Sequence, residues 1–328
     1  MTLDHHPYNE ALQTPPPRSA LQRVVDQVSP GARLTRVTRL RGGISMGMHA
    51  LRYLDRSGNA RGLVLRRYHP QIANRDPGGA EREFKVLLAL ARAGAAVPEP
   101  LWLDASGDAF GTPSLAISLM PGRGSLEIKD RRSWLKELAA GLASLHSVRV
   151  GEDATRVLPV QRVEVERQID RGPRAKDLVR YPDCGQLWEA LRRLWPRRVA
   201  VPHTVVHGDY WAGNTLWRRG RLTGIIDWEK PSLGDPGLDV GYCRMDLALF
   251  VAGDSPDVFL EEYEAAAGRL VANLAIWDLF GATRPLPDPA LWLPGYHDLG
   301  RGRTDLTPTL IRSRLARWMK RAVAASLS

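Results

Sequence analysis

The run His207-Gly208-Asp209-Tyr210-Trp211-Ala212-Gly213-Asn214 follows the apolar pair Val205-Val206, and eighteen positions after Asp209 a second acid, Asp227, closes the apolar pair Ile225-Ile226. A carboxylate and a carboxamide five positions apart on one loop, with another carboxylate at the end of a neighbouring strand, can supply what phosphoryl transfer needs. One carboxylate orients an attacking hydroxyl. The other oxygens hold magnesium against the phosphates of a nucleotide, and short strands fix those oxygens in place. By average residue frequencies, HGDxxxxN arises by chance in roughly one chain in a thousand of this length. The second acid makes chance rarer still.

The elements that must position these residues differ along the chain. Residues 1–19 carry Pro7 and the Pro15–Pro17 run and read as a flexible lead-in. From about Ala32 to Tyr68 the pattern suits strands, with Met48–Asp55 and Gly62–Tyr68 the clearest and a Gly-rich turn, Arg41–Gly47, before them. Phe84, Leu87, Leu88 and Ala91 recur at helical spacing and predict a helix over Gly79–Ala93. Ser114–Met120 reads as a buried strand stopped by Pro121-Gly122. Beyond Gly124 the pattern turns helical, over Asp130–Ser147, Arg162–Asp170, Gln186–Trp195, Asp257–Leu270 and Leu306–Ala325. Short β segments at Thr204–Val206 and Leu222–Ile226 interrupt it. The architecture expected is α+β: a small sheet lobe over 20–121 and a larger, mainly helical lobe over 122–328, with a cleft between them.

With these motifs the chain resembles the aminoglycoside phosphotransferase family, within the protein-kinase-like superfamily. HGDYWAGN is similar to that family's catalytic loop and IIDWE to its second metal motif; the likeness runs from about Ala32 to Phe250 and is most specific over Val205–Asp239. The resemblance implies a two-lobed kinase-like fold with a small antiparallel sheet. It implies that Asp209 is the catalytic carboxylate, that Asn214 and Asp227 bind Mg2+, and that His207 is structural. Asp235 and Asp239, in the segment that follows, read as capping and loop-bonding residues. Leu63-Val64-Leu65-Arg66 stands where the family's strand carries a phosphate-binding Lys. The residue here is Arg66, and no Lys precedes Lys85. Strand alternation sets Arg66 on the face of Val64 and Arg67 on the other. An arginine keeps the charge but presents a fork of donors in place of an ammonium. The family register makes Glu83 its partner, with Glu81 turned to another side of the helix. Gly42, Gly43 and Ser45 of the Gly-rich turn are expected to cover the phosphates of ATP or GTP through backbone N–H groups. Met120 is expected at the hinge beside the adenine.

The acceptor is less defined by sequence. The family phosphorylates hydroxyls of small molecules, and an aminoglycoside-like antibiotic is the first expectation. Between Gly234 and Asp305 there are 12 acids against 5 arginines, among them Asp246, Asp254, Asp257, Glu261, Glu262, Glu264, Asp278 and Asp298. Such an island suits a polycation. Trp277, Phe280, Trp292 and Tyr296 in the same region suit a macrolide or a choline-like cation. Sugar-alcohol kinases and an inactive nucleotide-binding homologue complete the alternatives.

The net charge of +10 raises nucleic acid as a partner, but the basic residues are 40 Arg and 6 Lys spread along all 328 positions. They read as solvated surface, with no nucleic-acid motif beside them. The apolar stripe Ile311, Leu315, Trp318 and Ala322 reads as a helix docked on the large lobe, not on a membrane. Two cysteines exclude a disulfide framework. No apolar run spans a bilayer and no secretory leader is evident, so a cytoplasmic setting is expected. The oligomeric state is left open.

Overall fold

The computed structural model describes residues 12–40, 46–300 and 303–327. Gly42, Gly43 and Ser45 lie outside them. The chain divides into two compact units after Met120.

The first unit begins with helix α1 (Arg18–Val28), which the sequence pattern did not announce. It continues with strands β1 (Arg33–Arg39), β2 (Met46–Leu54) and β3 (Ala60–Tyr68), helices α2 (Pro70–Arg75) and α3 (Gly79–Arg92), and strands β4 (Pro100–Asp104) and β5 (Ser114–Ser118). The strands form one antiparallel sheet in the order β1-β2-β3-β5-β4. The β2–β3 hairpin is set by Asp55, whose carboxylate accepts the backbone N–H of Ser57 at 3.0 Å and of Asn59 at 2.8 Å. Leu21, Val24 and Val25 of α1 join Leu34, Leu51, Leu63 and Leu65 of the sheet in one core. Each such side chain withdrawn from water contributes about 1.5–3 kcal/mol.

Residues 12–14, which the sequence puts in a flexible lead-in, are tied to the sheet. Leu12 is buried. The backbone carbonyls of Leu12 and Thr14 accept the guanidinium of Arg67 at 2.6 and 2.8 Å, and that of Gln13 accepts the His49 ring at 3.2 Å. Residues 12–14 are therefore part of the sheet's packing. Hydrophobic patterning missed this because the contacts are polar and involve main-chain oxygens.

The second unit is mainly helical: α4 (Arg131–Ser147), α5 (Glu152–Val157), α6 (Gln161–Arg171), α7 (Ala175–Arg180), α8 (Gly185–Leu194), α9 (Gly237–Phe250), α10 (Ser255–Ala267), α11 (Leu274–Thr283), α12 (Leu293–Leu299) and α13 (Pro308–Ala325). Two small antiparallel pairs are set among them, β6 (Thr204–Val206) with β9 (Ser232–Gly234), and β7 (Thr215–Arg218) with β8 (Arg221–Ile225). Helix α9 is buried at all but one of its 14 residues. Its close approach to α11 needs Gly241, where a Cβ would lie 2.3 Å from the Trp277 carbonyl oxygen. Helix α13 buries Ile311, Leu315, Trp318 and Ala322 and packs on α8, α9 and α11. Cys184 and Cys243 are free and buried. Among the described residues no helix is long and apolar enough to cross a membrane.

Candidate active site

In the first unit, Arg66 and Glu83 meet as the strand and helix registers require. Both are almost wholly buried, and an Arg66 nitrogen lies 3.0 Å from Glu83 Oε1. Arg66 Nε is 3.2 Å from the sulfur of Met46, and the Tyr68 hydroxyl donates to the second Glu83 oxygen. Glu81 instead pairs with Lys85 at 2.6 Å on the exposed side of α3. Arg67 turns the other way, to residues 12–14. Met120 is half-buried just beyond β5.

In the second unit, residues 207–214 join β6 to β7, and Asp227 stands between β8 and β9. The loop is held by buried groups on three sides. Asp239, fully buried on α9, accepts the backbone N–H of His207 at 2.7 Å and of Gly208 at 2.8 Å. The Tyr210 hydroxyl donates to the Leu138 carbonyl at 2.7 Å, tying the loop to α4. His207 Nε2 donates to the Ile226 carbonyl at 2.9 Å, and its Nδ1 accepts the Asp209 N–H at 3.3 Å. Burial lowers the His207 pKa, which agrees with a neutral ring serving as a brace. Behind Asp239 stands His146, with Nε2 3.2 Å from the carboxylate and Nδ1 2.8 Å from the Tyr263 hydroxyl. A cavity of about 550 Å3 lies beyond His146 and Tyr263 and includes none of Asp209, Asn214 or Asp227.

This bracing brings the sequence-derived acids together. The Ile226 N–H donates to the Asn214 carbonyl at 2.9 Å, so the segment carrying Asp227 is fastened to the loop carrying Asn214. Asn214 Nδ2 donates to the Asp209 carbonyl at 2.9 Å and to Asp209 Oδ2 at 3.2 Å. With its nitrogen spent on Asp209, Asn214 has its amide oxygen to offer a cation. Asp227 adopts φ 70°, a left-handed conformation that few non-glycine residues take and that concentrates at functional sites. An amide oxygen and a carboxylate are hard donors that fit magnesium, which keeps most of its shell as water and phosphate oxygen. No cluster of three or more His, Cys, Asp or Glu suited to a metal occurs among the described residues.

One partner of Asp209 escaped the sequence reading. Arg284, just past the end of α11, forms an ion pair with Asp209 Oδ1. Its guanidinium carbon lies 4.6 Å from the ring centroid of Tyr242 and 5.6 Å from that of Trp292. Its other terminal nitrogen is 3.8 Å from Asp246, which accepts the Tyr296 hydroxyl at 2.7 Å. Burial pulls the Arg284 pKa down to about 10 and pushes Asp246 up to about 7. Seventy-five positions separate Arg284 from Asp209, and no local spacing signals the pair.

The acceptor features read from the sequence are placed differently. Three of the eight acids named from the island are in close ion pairs, Asp254 with Arg131 at 2.8 Å, Asp278 with Arg244 at 2.9 Å and Asp257 with Arg321 at 2.5 Å, while Glu262 lies 3.8 Å from Arg132. Trp277, Phe280 and Tyr296 are core side chains, each at most 2% exposed. The Trp277 indole donates to Asp235 at 2.9 Å. Trp292 alone of the four aromatics is half-buried.

Comparison with known proteins places the chain in a family. A sequence profile described as the phosphotransferase enzyme family, APH, matches residues 42–284. The chain is 29% identical over 212 residues to acyl-CoA dehydrogenase family member 10 of Mus musculus, covering 61% of this chain and 19% of that protein. It is 30% identical over 187 residues to viomycin phosphotransferase of Streptomyces vinaceus, covering 51% and 61%. It thus spans about a fifth and about three fifths of those two curated relatives. Among solved structures, an amicoumacin kinase in complex with AMP-PNP and Ca2+ superposes with a TM-score of 0.62 at 15% identity, covering 98% and 96% of the two chains. The aminoglycoside phosphotransferase APH(4)-Ia gives 0.60 at 16% identity, covering 93% and 99%. At those identities the likeness is one of fold, and the fold is that of kinase-like phosphotransferases. With three quarters of its length matched by the profile, and the braced HGDYWAGN loop within that match, the chain belongs to the APH phosphotransferase enzyme family.

Proposed function

We propose that this protein transfers the γ-phosphoryl group of ATP, or of GTP, to a hydroxyl of a small molecule. The observation that carries the reading is that Asn214 is bonded to Asp209 and, through its main-chain carbonyl, to Ile226, the residue before Asp227. Asp209 orients the acceptor hydroxyl and takes its proton late, as the phosphoryl group transfers. Asn214 and Asp227 are the residues assigned to Mg2+, which when bound neutralises phosphate charge. Arg66, positioned by Glu83, is assigned to the α- and β-phosphates. Gly42, Gly43 and Ser45 are assigned to phosphate contacts through their backbone, and Met120 to the adenine edge. Related proteins named for viomycin, amicoumacin and spectinomycin support a small-molecule acceptor.

The test is Asp209→Ala, assayed as ADP or GDP release against a broad panel of alcohols that includes aminoglycosides, macrolides, choline and sugar alcohols. We expect turnover to fall by about a thousandfold, within the range for loss of a positioned base, while nucleotide affinity stays near that of the parent. Near-normal turnover in the variant removes the mechanism. Nucleotide binding by the unmodified protein without transfer to any alcohol favours the inactive, nucleotide-binding reading.

A further inference from the structure

Resting on the phosphotransferase reading, we propose that the acceptor carries an oxyanion of its own beside the hydroxyl, and that Arg284 recognises it and releases Asp209 in doing so. Asp209 Oδ2 accepts Asn214 Nδ2 at 3.2 Å, while Oδ1 is buried with no hydrogen-bond partner and stands in an ion pair with Arg284. While the guanidinium sits against Oδ1, that oxygen is covered and is not open to an acceptor hydroxyl. Arg284 itself is under-satisfied. One terminal nitrogen is buried with no hydrogen-bond partner and stands 3.8 Å from Asp246, beyond bonding range. Asp246 is engaged instead by the Tyr296 hydroxyl at 2.7 Å. The rings of Tyr242 and Trp292 flank the guanidinium, at 4.6 and 5.6 Å from its carbon, and offer it no acceptor oxygen.

A fork of donors with an unfilled prong matches a carboxylate or a phosphate. An acceptor oxyanion bound there draws the guanidinium toward itself and leaves Asp209 Oδ1 to the hydroxyl. A cationic acceptor does the reverse: it brings like charge against Arg284 and competes for Asp209 without relieving it. Three of the acids that sequence would have offered to a polycation, Asp254, Asp257 and Asp278, are already paired with Arg131, Arg321 and Arg244. The inference therefore departs from the aminoglycoside-like acceptor first expected.

The experiment uses the full chain and a matched ladder of short alcohols with the hydroxyl at successive positions, each made as the carboxylate, the phosphate ester, the neutral amide and the primary amine. ADP release with MgATP is read for each, and binding without nucleotide is read by tryptophan fluorescence. We expect the better of the two oxyanion forms to exceed its amide and its amine by about tenfold or more in kcat/KM; which form wins separates a carboxylate from a phosphate acceptor. Arg284→Gln should bring the forms toward parity, and Arg284→Lys should restore part of the preference. The ladder on the unmodified protein decides the question even if a variant folds poorly. Amines turned over as well as oxyanions, or oxyanions that neither bind nor react, overturn the proposal. If amines alone are phosphorylated, the phosphotransferase reading stands and this inference falls. If oxyanions bind through Arg284 and no phosphate moves, the oxyanion site stands and the phosphotransferase reading falls.

Discussion

Asp239 Oδ2 accepts the backbone N–H of His207 at 2.7 Å from a position 32 residues further along the chain. Its other oxygen takes Gly208 N–H at 2.8 Å, so one buried carboxylate fixes the entry to the 207–214 loop. Asp239→Asn keeps the size but puts an NH2 where an acceptor must be. We expect a loss of about 3 kcal/mol in unfolding free energy, the scale for disrupting a buried charged hydrogen-bond network, together with a fall in kcat larger than the change in nucleotide affinity. Urea denaturation and ADP release measure the two. Unchanged stability would mean that the loop is anchored elsewhere.

Gly208 supplies the next turn of that loop. Its φ is +75°, and a Cβ there would stand 2.4 Å from the Lys230 carbonyl oxygen, which is main chain and has little room to give. Gly208→Ala should destabilise the protein by roughly 1–3 kcal/mol and lower turnover by a larger factor than that implies, because the displaced backbone carries Asp209. Thermal unfolding and kcat, measured side by side, test this. An alanine variant with parental kcat is the contrary result.

The Arg66–Glu83 pair is buried on both sides. Truncating Glu83 to Ala removes the buried carboxylate from Arg66, and breaking such a pair costs roughly 3–5 kcal/mol. Arg66→Lys keeps a cation but not the fork, so it should cost less. Both variants should weaken nucleotide binding if Arg66 meets the phosphates. Denaturant midpoints and fluorescent-nucleotide titration give the answer; full nucleotide affinity in Glu83→Ala would detach this pair from the phosphates.

Burial raises Asp246 from an ordinary 3.8 to about 7. Between those values the folded protein holds a proton that the unfolded chain has released. This group therefore makes stability fall as pH climbs from about 4 to 7, with no further change above. Asp246→Asn has no such proton and keeps an acceptor for the Tyr296 hydroxyl. Relative to the parent, it should gain roughly 2–3 kcal/mol on going from pH 5 to pH 8. Chemical denaturation at the two pH values reads the difference directly, and parallel curves for the two proteins would count against it.

The loop motif was legible because its chemistry is local: Asp209 and Asn214 are five positions apart, and a β-segment precedes them. Arg66 and Glu83 were legible in part, through strand alternation and the helix register between them. Arg284 was not, since its approach to Asp209 depends on how α9, α11 and the segment to α12 pack. A helix after Asp235 was implied by its reading as a cap, but the extent of α9 escaped, because burial on nearly every side erases the polar–apolar rhythm by which a surface helix is read. The acids after Gly234 misled for a related reason. Composition counts charges, but Arg131, Arg244 and Arg321 cancel them across distances the sequence does not display.

The seat that Leu12, Gln13 and Thr14 occupy against β2 and β3 sets a practical boundary for any shortened version of this polypeptide. Truncation past Thr14 takes away both main-chain oxygens that receive Arg67, along with the one that receives His49, and leaves a buried cation without those acceptors. Trimming that stops ahead of Leu12 spares all three.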